Sequence, residues 1–430
     1  MSNFEGINSM PVNKKLLFFL VIYCFLFGVI NREVRGVPFG TGIEILLIIT
    51  LIVTIFMSKK EDWININSDL FYLMAIWFLI SLIEVTNPYS SFLGWLNEIR
   101  TTALYPFLMV MLGLVILKNK RDLDWFFIFI IILSTLASIN GIKQLHIGLF
   151  PGEKEFLALN SKTHLIWGKL RVFSFWDAGQ FGALQAHIGF IALMLSFVPM
   201  KLWKRIFLLC CACLNFYGML ISGTRGALFG LVIAIFVGLL LSKNIKALLI
   251  GGFIAVSFLV VLKYTHIGDS NYQIYRLRTA LNPKDPSLNV RFNTQRNLRI
   301  YMQDYPFGGG LGVIGYNGNL YNSDKYLSTV QPDSYYVKLW AMYGIVGFTI
   351  WFCMMLYILG KCCGLIWNMK DLNLRLKLVS LIAGFAGVLM CSYGNEVINI
   401  MPTSIVVYLS WAIIANAAKI EKTKRSTLLA

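Results

Sequence analysis

Apolar stretches of roughly 15–22 residues alternate along this chain with short polar connections. A helix rising about 1.5 Å per residue needs roughly 20 apolar residues to cross the hydrocarbon core of a bilayer. Twelve such stretches are legible, near 16–30, 43–57, 70–86, 99–117, 124–142, 178–199, 204–222, 226–242, 245–263, 334–358, 374–393 and 400–419. They predict an all-α polytopic membrane protein with about twelve transmembrane helices. Two connections are long, at about 143–177 and 264–333. The chain therefore divides into 1–263, carrying nine spans and the first long loop; 264–333, the second long loop; and 334–430, the last three spans and a tail.

Composition sharpens this picture. Of 430 residues 57% are hydrophobic and 14% charged, with a mean hydropathy of +0.68, whereas soluble domains carry about a quarter charged residues. A secreted domain, a disulfide scaffold and a disordered tail are excluded. The net charge of +17 would suggest nucleic acid in a soluble protein. Here it falls on alternate short loops (Lys14 and Lys15; Lys59 and Lys60; Lys118, Lys120 and Arg121; Lys201, Lys204 and Arg205; Lys243 and Lys246; Lys370, Arg375 and Lys377). By the positive-inside rule these loops and both termini are expected in the cytoplasm, and the two long loops outside; no nucleic-acid partner is expected. The first apolar stretch runs into Asn31-Arg32-Glu33 instead of a small-residue cleavage site, so it is expected to stay as a span. The eight cysteines lie in spans or at cytoplasmic edges, which implies no disulfide framework. Cys210, Cys211 and Cys213 have no histidine nearby, so packing is the expected role.

The first long loop mixes Pro151-Gly152, Lys154, Lys162, Lys169 and Arg171 with Phe150, Phe156, Leu157 and Trp167, a pattern predicting a segment along the membrane surface. In the second, Asn282-Pro283 and Asp285-Pro286 mark turns. Ser287 or Asn289 is then expected to cap a helix reaching about Asp304, stopped by Pro306 and by Gly308, Gly309, Gly310 and Gly312. Arg291, Gln295 and Arg299 recur at helical spacing on one face, with Arg296 beside them. Two roles suit such a face above a membrane: attraction to lipid headgroups, or a polyphosphate site.

Three further positions carry candidate chemistry. Arg225, in Ser222-Gly223-Thr224-Arg225-Gly226, falls between two spans with almost no loop. Its guanidinium either snorkels to the headgroups or grips phosphate oxygens bidentately. Asp333, in Gln331-Pro332-Asp333-Ser334-Tyr335-Tyr336, either caps the tenth span or serves as a general base. Arg171 lies at the outer end of the sixth span, where the plain alternative is a loop anchor. Glu44, Glu84, Arg100, Lys338 and Glu396 fall near outer ends of spans and either line a cavity or pair with one another. No metal-binding histidine spacing, P-loop or dinucleotide fingerprint is present, and no cofactor is expected.

Taken in order, Ser222-Gly223-Thr224-Arg225-Gly226, then Arg291 through Pro306-Phe307-Gly308-Gly309-Gly310-Leu311-Gly312, then Pro332-Asp333-Ser334-Tyr335-Tyr336 leading to Tyr343-Gly344-Ile345-Val346-Gly347, the chain resembles the O-antigen polymerase and O-antigen ligase superfamily. The resemblance covers about residues 170–350. It implies a GT-C-type membrane glycosyltransferase that needs no metal and uses an undecaprenyl-diphosphate-linked glycan at the periplasmic face of the inner membrane. Carried over by position, Arg225 and Arg291 would hold the diphosphate and Asp333 would deprotonate or position the acceptor hydroxyl. Arg171, Arg296, Arg299, Tyr335 and Tyr336 would contribute to substrate binding. Ligases of the family usually have His-Asn where this chain has Asp333-Ser334, and Arg171 to Gly182 and Arg299 to Gly310 resemble the paired Arg-x10-Gly loops of some polymerases. A polymerase is therefore expected, with a ligase acting on lipid A-core or another acceptor as the alternative, and a lipid-linked glycan flippase as a third reading. Membrane lipid and a chain-length regulator are the other partners considered.

Overall fold

The computed structural model describes residues 10–34, 37–282, 286–332 and 334–421, without the side chains at 247 and 286–288. Its main helices are α1 Val12–Glu33, α2 Thr41–Met57, α3 Asp69–Thr86, α4 Phe92–Ile116, α5 Lys120–His146, α6 Pro151–Leu159, α7 Ala178–Ser196, α8 Leu202–Ser222, α9 Arg225–Leu241, α10 Ile245–Tyr264, α11 Tyr272–Thr279, α12 Pro286–Tyr301, α13 Gly315–Tyr321, α14 Tyr335–Trp367, α15 Leu372–Cys391 and α16 Thr403–Ala415. Among the described residues, 8 helices are long and apolar enough to span a membrane (α1, α3, α4, α5, α7, α8, α14 and α15), and α2, α9, α10 and α16 are shorter apolar helices. These helices occupy the twelve predicted stretches. The protein is an all-α, multi-pass membrane protein. One short antiparallel hairpin, β1 Leu165–Ile166 and β2 Lys169–Leu170, pairs Leu165 with Leu170 and Ile166 with Lys169.

Burial separates central from peripheral helices: 89% of the α7 span is enclosed by protein against 22% of the α3 span. Close backbone approach organises the centre. On α9, Gly226, Gly230 and Ala234 repeat every four residues and face Ala383, Gly387 and Cys391 of α15. The place for a Cβ on Gly230 is only 2.6 Å from the Gly387 carbonyl oxygen. Without a hydrophobic driving force between helices in lipid, small residues that let backbones touch are what hold such a pair. This seam carries the first turn of α9 to the last turn of α15.

α14 is broken at Gly344, where φ is +66° and ψ −172°. The break frees backbone groups that lipid cannot satisfy, and the glycine-rich loop supplies partners. Gly309 N–H donates to Ala341 O at 2.8 Å, Gly310 N–H donates to Met342 O at 3.0 Å, and Val346 N–H donates to Pro306 O at 3.2 Å. A side chain on Gly344 would strike Pro306 O, and one on Gly308 would strike Met342 O. The Tyr343-Gly344-Ile345-Val346-Gly347 and Pro306–Gly312 motifs are thus two halves of one joint. Beyond the break α14 continues to Trp367, past the predicted 358, because its last turns are tethered by polar contacts: Lys361 pairs with Asp69, and Tyr357 Oη donates to Asp69 Oδ2 at 2.6 Å.

The first long loop is anchored to the bundle. α6 docks on the end of the bundle through Glu153, which is fully enclosed and accepts from Lys143 Nζ at 2.6 Å, Gln144 Nε2 at 2.8 Å and Phe150 N–H at 2.8 Å. A carboxylate with that many donors is better placed against the bundle than in water. In the second loop, α12 followed by a 3-10 turn, Met302–Asp304, matches the expected helix, but it starts at Pro286, so Ser287 and Asn289 lie inside it and neither caps it.

Candidate active site at the loop end of the bundle

The site grows from the turn between α8 and α9. Only Gly223 and Thr224 separate these helices. Gly223 takes the left-handed conformation (φ +58°, ψ +26°) that ends a helix without a Cβ penalty. The last carbonyls of α8 point out of the turn and carry the negative end of its dipole. Two arginines cap them. Arg171 Nε donates to Ser222 O at 2.9 Å and its Nη2 to Thr224 Oγ1 at 3.2 Å, while Arg276 of α11, itself buried, donates from Nε to Gly223 O at 2.7 Å. Thr224 Oγ1 in turn donates to Ala178 O at 2.7 Å, tying the turn to the start of α7. Gly182 of α7 packs on the same turn, since a Cβ there would meet Ser222 Oγ and Thr224. The Arg171–Gly182 segment therefore grips Ser222–Thr224 from both ends.

Arg225 opens α9 beside this pair. Loss of hydration lowers the Arg171 pKa to about 10; Asp177 and Tyr272 oppose the shift, and Arg276 and Arg225 add to it. Arg171 therefore remains a cation at neutral pH. Asp177, whose charge acts on Arg171, caps α7 by accepting from Gly179 N–H at 2.6 Å. Beside it stands buried His164, with Nε2 at 3.1 Å from Asp177 Oδ2 and its ring edge-on to both Phe156 and Phe173.

Arg291 reaches the same region from α12. A Cβ on Gly394 would stand 3.8 Å from Arg291 Nη1 and 3.9 Å from the Cα of Gly226, so the two helices carrying Arg225 and Arg291 converge on the Cys391–Gly394 turn. The start of α14 is pinned to that turn as well: Tyr335 N–H donates to Ser392 O at 3.0 Å. Arg291, Thr294, Gln295, Gln331, Ser334 and Val337 line a shallow cleft open to solvent. Asp333 lies outside the described residues; its neighbours in sequence, Gln331 and Ser334, both line the cleft.

Other predicted positions are dispersed. Arg296 and Arg299 are exposed on α12, while Leu298 supplies its buried face. Gly310 packs on Asn87 and Ser90, so Arg299 and Gly310 do not share a turn as Arg171 and Gly182 do. Tyr335 is 2% exposed, edge-on to Trp351 in an aromatic interior with Trp77, Tyr408 and Trp411. Tyr336 donates its hydroxyl to Leu389 O at 2.6 Å and stacks among Phe348, Trp351, Phe352 and Tyr393. Both tyrosines serve packing in this structure and do not line the cleft.

Sequence reasoning missed Arg276, Asp177 and Glu98, the last of which joins a charged group just inside the bundle. Lys338 Nζ lies 2.9 Å from Glu98 Oε1 and 3.0 Å from Glu396 Oε2, and Asn317 Nδ2 donates to Glu98 Oε2 at 2.8 Å. Of the span-end charges noted in the sequence, Lys338 with Glu396 and Arg100 with Glu44 (3.2 Å) form pairs. Glu98 could have been noticed as a carboxylate beside an apolar stretch that otherwise has only Arg100.

Residues 206–352 match the family model described as O-antigen ligase. Over this segment, about a third of its length, the chain is similar to that family. No curated protein matches the chain. The family segment begins in α8 and ends in the middle of α14. It thus holds the Ser222–Arg225 turn, Arg276, Arg291 and the glycine joint, and leaves Arg171, Asp177 and Glu396 outside.

Proposed function

We propose that this protein is an inverting glycosyltransferase that polymerises undecaprenyl-diphosphate-linked oligosaccharides at the periplasmic face of the bacterial inner membrane. One observation supports the reading: the Arg291 guanidinium and the first turn of α9, which carries Arg225, approach the Cys391–Gly394 turn from positions far apart in sequence, and Arg291 lines the cleft that leads to the start of α14. In the reaction the anomeric C–O bond to the diphosphate breaks as the acceptor hydroxyl oxygen bonds to the anomeric carbon from the opposite face. Asp333 takes the hydroxyl proton and later yields it to water, and the diphosphate leaves as an anion. Fixed guanidinium groups stabilise that charge where it develops, at the edge of a low-dielectric slab where each contact is stronger than in water. Arg171 and Arg276 act one layer back, holding the turn from which Arg225 projects.

A ligase reading is favoured by the family's own description as O-antigen ligase. The two separate in a single assay. Purified protein given only lipid-linked repeat units should lengthen the lipid-linked chain if it is a polymerase. No product until a second acceptor such as lipid A-core is supplied would convert the reading to a ligase.

A further inference from the structure

The β1–β2 hairpin presents an aromatic group that the proposed chemistry does not use. Trp167 and Gly168 form its two-residue tip, both with positive φ (+53° and +72°), as a type I′ turn demands. Asn or Gly normally occupies the first of these positions; a tryptophan there holds a backbone conformation that bulky L-residues avoid. The strained tip nevertheless leaves the indole 65% exposed. Its ring meets Tyr275 at 5.6 Å and Tyr272 at 6.0 Å, and Tyr275 is itself 42% exposed. The Tyr272 hydroxyl is buried with no hydrogen-bond partner among the described residues. Tyr275 directly precedes Arg276, which caps the Ser222–Arg225 turn, and the hairpin runs straight into Arg171, which caps it from the other side.

We infer that Trp167, with Tyr275 and Tyr272, is a sugar-binding subsite that stacks one ring of the glycan joined to the diphosphate. This rests on the transferase reading for the identity of the glycan. The chemistry is that of an amphipathic ring: the C–H face of a pyranose lies on the exposed indole, with Tyr275 as a second, partly exposed aromatic wall. Rigid aromatic side chains offer such area at little entropic cost. An anchor at the headgroup level would need an exposed ring, but neither the left-handed backbone nor a second aromatic wall beside the arginines.

The turn supplies a clean test. Trp167→Asn removes the ring yet creates Asn-Gly, the pair that a type I′ turn prefers, so the variant should fold at least as well as the parent. The probe is the oligosaccharide released by mild acid from the host's lipid-linked pool, titrated calorimetrically against the full chain in lipid nanodiscs. Trp167→Asn should weaken binding about tenfold with unchanged melting temperature, and Trp167→Phe should stay within about threefold of the parent. Equal affinity of Trp167→Asn and parent, or no binding by the parent, would overturn the subsite. In the transfer assay Trp167→Asn should raise KM for the lipid-linked donor and spare kcat. Trp167-dependent binding without any transfer by the parent keeps the subsite and sinks the transferase reading. Transfer with an unchanged KM in Trp167→Asn does the reverse.

Discussion

A guanidinium at the end of a span has little chemical value unless something fixes where it points, and here the fixing is done by other guanidinium groups. Arg171 and Arg276 spend their Nε protons on carbonyls of the α8–α9 turn, so their role is to hold the loop that presents Arg225. Arg225→Ala and Arg291→Ala should each lower transfer by about a hundredfold or more, the scale seen when one donor to a developing anion is removed. Asp333→Ala should do the same by loss of the base. Protein levels should stay normal, and normal chain-length ladders from all three variants would refute the assignment. Arg276→Ala belongs to another category. It strips a buried cap from Gly223 O, so both the melting temperature and the rate should fall, while Arg276→Lys restores neither fully because it lacks the planar fork.

Elements are joined at this end by polar locks that an apolar pattern does not announce. Glu153 fastens α6 to α5. Its burial works to raise the pKa, but the Lys143 ammonium, the Phe150 N–H, Gln144 and Asn140 outweigh burial and hold it below the usual carboxylate range. A carboxylate depressed in the folded state contributes stability that is present above its unfolded pKa, about 4.3, and is lost as pH falls through the folded value. Thermal unfolding in detergent should therefore show the protein losing melting temperature below about pH 4, and Glu153→Gln should flatten that dependence. The glycine joint is a second lock. Gly344→Val would place a β-branched side chain at φ +66° and against Pro306 O. It should cost several kcal/mol, of order 3, and should loosen residues 306–312, readable as faster hydrogen exchange at Gly309 and Gly310.

At the level of the whole molecule, the bundle stores charge just beneath its loop end. Glu98 and Lys338, both nearly inaccessible, and Glu396 link α4, α14 and the α15–α16 connection, with Asn317 of α13 as a fourth member. Removing one partner leaves a buried charge uncompensated, which costs about 3–5 kcal/mol, whereas an apolar replacement of a matched pair is far milder. Lys338→Met alone should thus abolish stable expression. Lys338→Met with Glu98→Gln and Glu396→Gln should recover much of it, measured by monodispersity and melting temperature; equal damage from the single and triple changes would show that packing, not charge, is at stake.

Much of this protein was determined by sequence alone. The number and placement of its apolar helices follow from hydropathy, because lipid forces every span to satisfy its own backbone. The loop helix ending at Asp304 follows from turn residues and a glycine stop. Arg225 was legible as a candidate because a cation beside a span is costly and so stands out against an apolar background, and Arg291 because it recurs with Gln295 and Arg299 at helical spacing on the loop helix. What only tertiary structure decided is which polar groups meet. The seam between Gly230 and Gly387, the arginine caps on one turn, the docking of Gly308 into the break at Gly344 and the Glu98–Lys338–Glu396 group join residues tens to hundreds of positions apart. Such pairings depend on helix rotation and crossing, which hydropathy leaves undetermined. For the same reason Tyr335, a substrate-facing candidate by motif, turned out to be a core side chain: its position along α14 was readable, and the direction of its ring was not.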